Sequence, residues 1–138
     1  MNTKLNPYIN FDGNAKEAIE FYKSALGGEL TMSTFGEGGM PHDPSEASKI
    51  MHAQLITENG MTLMVSDTPS NWAFTPGNNV SMSLSGDNEV ELKGYWDKLS
   101  EGGKLDMPMS KAPWGDQFGM FTDKFGIKWM VNIAGPKA

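Results

Sequence analysis

What most limits how this chain can fold is that four of its sequence elements occur twice, in the same order. The turn Thr57-Glu58-Asn59-Gly60 feeds Met61-Thr62-Leu63-Met64-Val65, much as Asp123-Lys124-Phe125-Gly126 feeds Ile127-Lys128-Trp129-Met130-Val131. Ahead of each hairpin, a short strand-like segment (Tyr8-Ile9-Asn10-Phe11, then Met82-Ser83-Leu84) leads into a helical run. Each run ends on a glycine pair, Gly27-Gly28 or Gly102-Gly103. Matched positions lie about 65 to 75 residues apart, which is the signature of an internal duplication. Chance similarity among short motifs would not preserve the order of four elements.

The later hairpin shows what each copy is built to do. Aspartate accepts local backbone bonds and glycine tolerates positive φ, so the ends of 123–126 suit a tight turn. In the return strand Ile127, Trp129, Val131 and Ile133 point one way, and Lys128, Met130 and Asn132 the other. The first face is expected to sit on a helix. The second is too polar for a sealed core and too poor in charge for an ordinary solvated face, so it is expected to wall a cavity.

In chain order, residues 5–11 read as a strand, with Pro7, Ile9 and Phe11 opposed to Asn6, Tyr8 and Asn10. Asp12 or Asn14 is positioned to cap a helix over 15–26, whose apolar stripe is Ala18, Ile19, Tyr22, Ala25 and Leu26. Strands are predicted over 29–35, 49–56 and 61–66, with a glycine- and proline-bearing loop, 36–48, expected to be a mobile flap. The second copy reads as a strand over 80–85, then a helix over 89–100 burying Val90, Leu92, Tyr95, Trp96 and Leu99. Strands over 104–109, 119–122 and 127–133 follow, with 111–116 as a loop. The chain thus forms one domain over 1–138, made of module 1 (5–67) and module 2 (80–134) joined by a linker, 68–79. Each module is strand, helix, then three strands: an α+β chain of two tandem βαβββ modules.

Composition narrows the function classes. A net charge of −6 argues against nucleic acid and anionic membrane surfaces. The absence of any long apolar run predicts no transmembrane helix. With no cysteine there is no thiol nucleophile and no thiolate metal site, which suits the cytoplasm. Eleven methionines favour adaptable apolar surface. Two histidines and no Gly-x-Ser-x-Gly exclude a serine triad, and Gly36-Glu37-Gly38-Gly39 places a negative charge where a phosphate cradle would avoid one. No glycine-rich turn after a first parallel strand is available for a nucleoside cofactor, so methyl transfer is not expected.

Two βαβββ modules in one acidic, cysteine-free chain resemble the vicinal oxygen chelate superfamily, which includes glyoxalase I, extradiol dioxygenases and bleomycin resistance proteins. Three stretches are similar to its PhnB-like branch, sometimes labelled a 3-demethylubiquinone methyltransferase domain. They are Pro7-Tyr8-Ile9-Asn10-Phe11-Asp12-Gly13-Asn14 with the helix ending at Gly28, Leu63-Met64-Val65-Ser66-Asp67, and Trp114-Gly115 through Phe125-Gly126-Ile127-Lys128-Trp129. The resemblance implies the glyoxalase/bleomycin resistance/dioxygenase fold, in which the two tandem βαβββ modules form a curled mixed sheet around a ligand cavity, with helices outside. In metal-dependent relatives, His or Glu from the first and fourth strands of each module hold a divalent ion. The matching positions here are Asn6, Met64, Ser81 and Met130, with no carboxylate or imidazole among them, so neither metal nor cofactor is expected. His42 reads as an exposed loop residue and His52 as a partly buried strand residue satisfied by backbone. An unusual metal site joining them to Asp43 or Glu46 is disfavoured by the loop between. Asp12, Asp67 and Asp123 read as turn residues rather than catalytic acids.

What remains is a cavity lined by Asn6, Tyr8, Asn10, Thr62, Met64, Ser66, Ser81, Ser83, Lys128, Met130 and Asn132, with Trp114 and Phe118 near its mouth. Such a set favours a protein that binds a small apolar or aromatic molecule. The alternative is an enzyme, metal-independent or with an atypical metal, of lyase, isomerase or dioxygenase type, in which Lys128 polarises a substrate oxygen. A homodimer is expected in either case, anchored by Trp72 and Phe74.

Overall fold

The computed structural model describes residues 3–39 and 42–135. The chain divides into two compact units, the first ending at Pro76 and the second beginning at Gly77. In the first unit the order is β1 (Tyr8–Phe11), α1 (Ala15–Leu26), β2 (Glu29–Thr34), α2 (Phe35–Gly38), a 3-10 turn (Pro44–Glu46), β3 (Ile50–Ile56) and β4 (Thr62–Asp67). The second unit has β5 (Met82–Gly86), α3 (Glu89–Leu99), β6 (Lys104–Lys111), β7 (Gln117–Thr122) and β8 (Lys128–Ile133). Each unit forms a four-stranded mixed sheet, in the order β1-β4-β3-β2 or β5-β8-β7-β6. The first strand of each runs parallel to the last, and the other pairs are antiparallel.

The repeated glycine pair has a physical reason. Gly27 at the end of α1 and Gly102 just beyond the end of α3 have φ of 74° and 77°, backbone that glycine adopts at little cost as the chain leaves each helix. The second glycine lets the chain pass against a neighbouring strand. A Cβ at Gly28 would lie 2.3 Å from the Ile56 carbonyl oxygen, and one at Gly103 2.2 Å from that of Thr122. Ile56 ends β3 and Thr122 ends β7, so the contact recurs at the same place in both units.

Alternation sets the core. In α1, Ala15, Ala18, Ile19, Tyr22 and Ala25 are buried, while Leu26 is half-buried. They cover the sheet face that carries Phe11, Ala53, Leu55 and Val65. In the second unit Leu92, Trp96 and Leu99 of α3 cover Leu84, Phe121, Trp129, Val131 and Ile133. Trp96 meets Phe121 edge-on at 5.0 Å between ring centroids, and Phe121 stacks on Trp129 at 6.3 Å. A Cβ at Gly119 would stand 2.6 Å from the Trp96 ring, so a hydrogen is what fits there. Burial of each large apolar side chain is worth about 1.5–3 kcal/mol.

Several expectations need correction. β1 begins at Tyr8 and β5 at Met82, so Asn6 and Ser81 precede their strands. Pro7 still accepts a bond from the Met64 amide, but proline has no N–H with which to continue the ladder. β2 stops at Thr34, because Thr34 and Glu37 form a reciprocal capping box that turns Phe35 into a helix. Within 36–48, the rest of α2 and the 3-10 turn replace the expected continuous loop, while residues 40 and 41 of the expected flap lie outside the described residues. Phe35 and Glu46 are buried, and the Glu46 carboxylate accepts bonds from the Ser70 amide and hydroxyl. β6 runs on to Lys111 through two breaks in register. Val90 is 85% exposed, because it sits in the first turn of α3 on the side away from Leu92 and Trp96. Tyr95 is half-buried, with its hydroxyl on Glu91.

The cap on α1 is the least expected. Asn14 makes no side-chain capping bond, and Asp12 is exposed. The acceptor comes from the end of β4: Asp67, 2% exposed, takes the amides of Gly13, Ala15 and Ile50 at 2.9 Å each. Asp123 is the buried counterpart in the second unit. It accepts from the amides of Phe125 and Ile127 and from the Trp129 indole. Both are structural acceptors, but only Asp123 serves the expected local turn; Asp67 is the last residue of β4 and its donors lie 17 to 54 residues away.

Candidate functional site

The helices cover one face of each sheet, and the candidate residues lie on the other. In the first unit, register places Tyr8, Met64, Gln54 and Thr31 in one row across the four strands. In the next row toward the C-terminal end of β1, Asn10 accepts a bond from the Ser66 hydroxyl at 3.0 Å, and His52 stands opposite Ser33. The Tyr8 hydroxyl lies 3.2 Å from His52 Nδ1, with the two rings 5.7 Å apart. His52 is thus held by a phenol rather than by backbone. Gln54, Met64 and His52 are half-buried, whereas Tyr8 and Thr31 are exposed.

In the second unit the corresponding row is Ser83, Met130, Met120 and Met107. Asn132 pairs with Phe118 in the next row and Lys128 with Thr122 in the one before. On β8, half-buried Lys128, Met130 and Asn132 alternate with buried Trp129, Val131 and Ile133, which is the two-faced strand read from alternation. Phe118 meets Trp114 edge-on at 5.8 Å, and Trp114 is 62% exposed. The Asn132 amide is fixed in direction, since its nitrogen donates to Asp116 Oδ2 at 2.9 Å. That bond, with the Gly135 amide and the Trp114 side chain, outweighs partial burial and holds the Asp116 carboxyl below the usual aspartate range.

The expected set is therefore distributed as follows. Tyr8, Asn10, Met64 and Ser66 share the open face of the first sheet, with Asn6 half-buried just ahead of it. Ser83, Phe118, Lys128, Met130 and Asn132 share that of the second, with Ser81 ahead of β5 and Trp114 ahead of β7. Sequence reading missed His52, Gln54 and Thr31 on one face, and Met107 and Met120 on the other. The alternation of His52, Gln54 and Ile56 could have revealed the first group. The bulges in β6 hide Met107, because a register shift moves side chains between faces.

The superfamily's divalent metal does not fit. The positions that match its ligands offer an amide, a hydroxyl and two thioethers. Their parallel partners, Tyr8 for Met64 and Ser83 for Met130, add a phenol and a hydroxyl. Hard and borderline divalent ions call for carboxylate or imidazole. Among the described residues no group of three or more His, Cys, Asp or Glu side chains is placed to hold a metal.

Comparison with known proteins agrees with this architecture. Residues 3–132 match the family described as 3-demethylubiquinone-9 3-methyltransferase. Protein YjdN of Escherichia coli K12 is 34% identical over 143 aligned residues, covering 94% of each chain. The crystal structure of PA1353 from Pseudomonas aeruginosa is similar with a TM-score of 0.86 and 37% identity, over 98% of this chain and all of that one (100%). A PhnB protein from Bacillus cereus has a TM-score of 0.76 at 28% identity, over 96% of this chain and 100% of its own. A glyoxylase/bleomycin resistance protein/dioxygenase domain from Frankia sp. EAN1pec shares the fold at 14% identity, with a TM-score of 0.68 over 100% of this chain and 95% of that one.

Proposed function

Because the chain belongs to the 3-demethylubiquinone-9 3-methyltransferase family, the PhnB-like branch of the glyoxalase/bleomycin resistance/dioxygenase superfamily, we propose that it binds a small apolar or aromatic molecule without a divalent metal. The ligand lies against the open face of the second sheet, and the observation that carries this is the row Ser83–Met130–Met120–Met107. Three thioethers in line make a soft surface that moulds to a flat apolar ligand. Phe118 and Trp114 add aromatic edges beside it, and the oriented amide of Asn132 supplies direction. Apolar lining with a few fixed polar groups is the usual make-up of a small-molecule site. The open face of the first sheet, with Tyr8, Asn10, Met64 and Ser66 and with Asn6 ahead of β1, is a second and more polar surface; Ser81 stands ahead of β5 on the second sheet.

Mass spectrometry of small molecules released from the purified protein under native conditions tests the reading directly. The expected result is a stoichiometric apolar or aromatic compound, absent from the Met120→Lys, Met130→Lys double variant while that variant still melts cooperatively. An equal amount of compound in wild type and variant would overturn the assignment of the methionine row. Dialysis against a chelator should change neither binding nor melting temperature, since a folded-state metal would stabilise by mass action. One-to-one metal lost together with binding would overturn the metal-free reading.

The same proposal includes a homodimer in a reducing compartment such as the cytoplasm. Trp72 and Phe74, 63% and 39% exposed, support it, because a second copy would remove this apolar surface from water. No helix among the described residues is long and apolar enough to cross a membrane. Light scattering that gave the 15.1 kDa monomer mass at micromolar concentration would refute the dimer.

A further inference from the structure

The open face of the first sheet holds one feature that its polar character alone does not explain. Tyr8 and His52 are 44 residues apart in sequence, on strands separated by β4, yet their side chains meet through Tyr8 Oη and His52 Nδ1. Among the described residues no protein group bonds the other ring nitrogen, Nε2. Neither side chain is sealed from solvent, since Tyr8 is 46% exposed and His52 half-buried. An imidazole tethered at one nitrogen has a fixed ring orientation, and a phenol can serve that nitrogen as donor or as acceptor. A phenol hydroxyl donating to Nδ1 leaves the proton of neutral histidine on Nε2.

From this geometry we propose that Tyr8 and His52 form an oxygen-recognising pair, in which Tyr8 orients the imidazole and Nε2–H donates to a carbonyl or carboxylate oxygen of a small ligand. Tyr8 is the positioning residue and His52 the contacting one. The surroundings suit hydrogen-bond recognition rather than ion pairing. Ser33 on β2, Ser66 on β4 and Asn10 on β1 are the neighbours, and all are uncharged. The carboxylate of Glu29 belongs to a position four residues along β2 from Ser33, about 13 Å away at the usual strand rise. Glu37 of α2 is committed to Thr34, and Glu46 of the 3-10 turn to Ser70. Lys16, Glu17, Glu20 and Lys23 belong to α1, which packs on the opposite face of the sheet. The inference deepens the binding proposal by adding a recognition site on the first sheet and the chemical class of the group it takes, and it rests on that proposal.

Nitrogen-15 NMR of the full chain provides the test, with benzamide and benzoate as the probes. In its neutral form His52 should show the Nε2–H tautomer, and Tyr8→Phe should convert it to a mixture. Millimolar benzamide or benzoate should shift the Nε2 signal of His52 but not that of His42. The two probes distinguish a neutral carbonyl from a charged carboxylate. Tyr8→Phe should weaken the effective probe by about three- to tenfold, and His52→Phe should abolish the response of neighbouring amides at an unchanged melting temperature. A dominant Nδ1–H tautomer would overturn the proposal, as would failure of both probes to move His52. Probe-induced shifts confined to Trp114 and Phe118 would sink this inference while leaving small-molecule binding intact.

Discussion

The two units share a topology and differ in what fills it. Both sheets place a parallel first strand beside the last, and both close their helix with a glycine pair packed on a strand end. The first core mixes Phe11, Tyr22 and Phe35 with small and aliphatic side chains, with alanines at three positions of α1 facing the sheet. The second is an aromatic stack of Trp96, Phe121 and Trp129. The open faces diverge further: Tyr8–Met64–Gln54–Thr31 in one, Ser83–Met130–Met120–Met107 in the other. Backbone features have been kept twice where geometry demands them, at the glycines and the turns. Side chains have been free to change wherever the demand is only apolar or only accessible.

The largest effect should come from breaking the aromatic stack. Trp129→Ala removes a 2%-exposed ring and the indole donor to Asp123, and should lower stability by about 3–5 kcal/mol in urea unfolding. A loss below about 1 kcal/mol would mean the second core does not depend on that stack.

Next come the two buried aspartates. Asp67→Ala strips the acceptor from amides in two separate segments and should cost about 3 kcal/mol. Asp123→Ala should cost about 2 kcal/mol, because its backbone donors lie in one part-buried turn that water can reach. Equal losses would show that range of contact does not matter here.

The glycine pair sharpens the comparison further. Gly28→Ala and Gly103→Ala both drive a methyl group into a strand carbonyl, a strain of about 1–3 kcal/mol. Gly28 also has φ of +104°, so its variant should be the worse of the two by about 1 kcal/mol. The reverse order in thermal melts would contradict the assigned backbone.

The smallest effect is acid sensitivity. Hydrogen bonds from Ser70 in the first unit and Asn132 in the second lower the carboxyl pKa values of Glu46 and Asp116 in the folded state. Their stabilisation is present above the ordinary carboxylate range, and it is lost as pH falls through the depressed folded values. Melting temperature should therefore drop on acidification from about pH 5 toward pH 3, and less steeply in Glu46→Gln and Asp116→Asn. A wild-type curve flat over that range would contradict both shifts.

Much of this is legible from sequence. Period-two alternation in 127–133 identifies the buried and half-buried faces of β8, and the glycine pairs mark both helix ends. Val90 escapes such reading because helical spacing does not say where on the first turn the sheet lies. The cap on α1 escapes it because nearby Asn14 and Asp12 fit the local rule, whereas the acceptor is 52 residues away from Ala15. The Tyr8–His52 contact crosses an intervening strand, and Met107 lies beyond a bulge. Pairing partners and register are tertiary facts, which no single strand's pattern encodes.

Asp67 also imposes an order of events on a ribosome. Helix α1 emerges with its first turn lacking the carboxylate that will accept the Ala15 amide, and the acceptor is made 52 residues later. At bacterial-to-eukaryotic elongation speeds that delay is roughly 3 to 10 seconds. Through it the nascent helix has neither its cap nor the strand β4 on which it packs, and β1 has no parallel neighbour. One carboxylate at the end of β4 then joins helix start, β3 start and sheet together, so the first unit should gain its structure in a single late step rather than turn by turn.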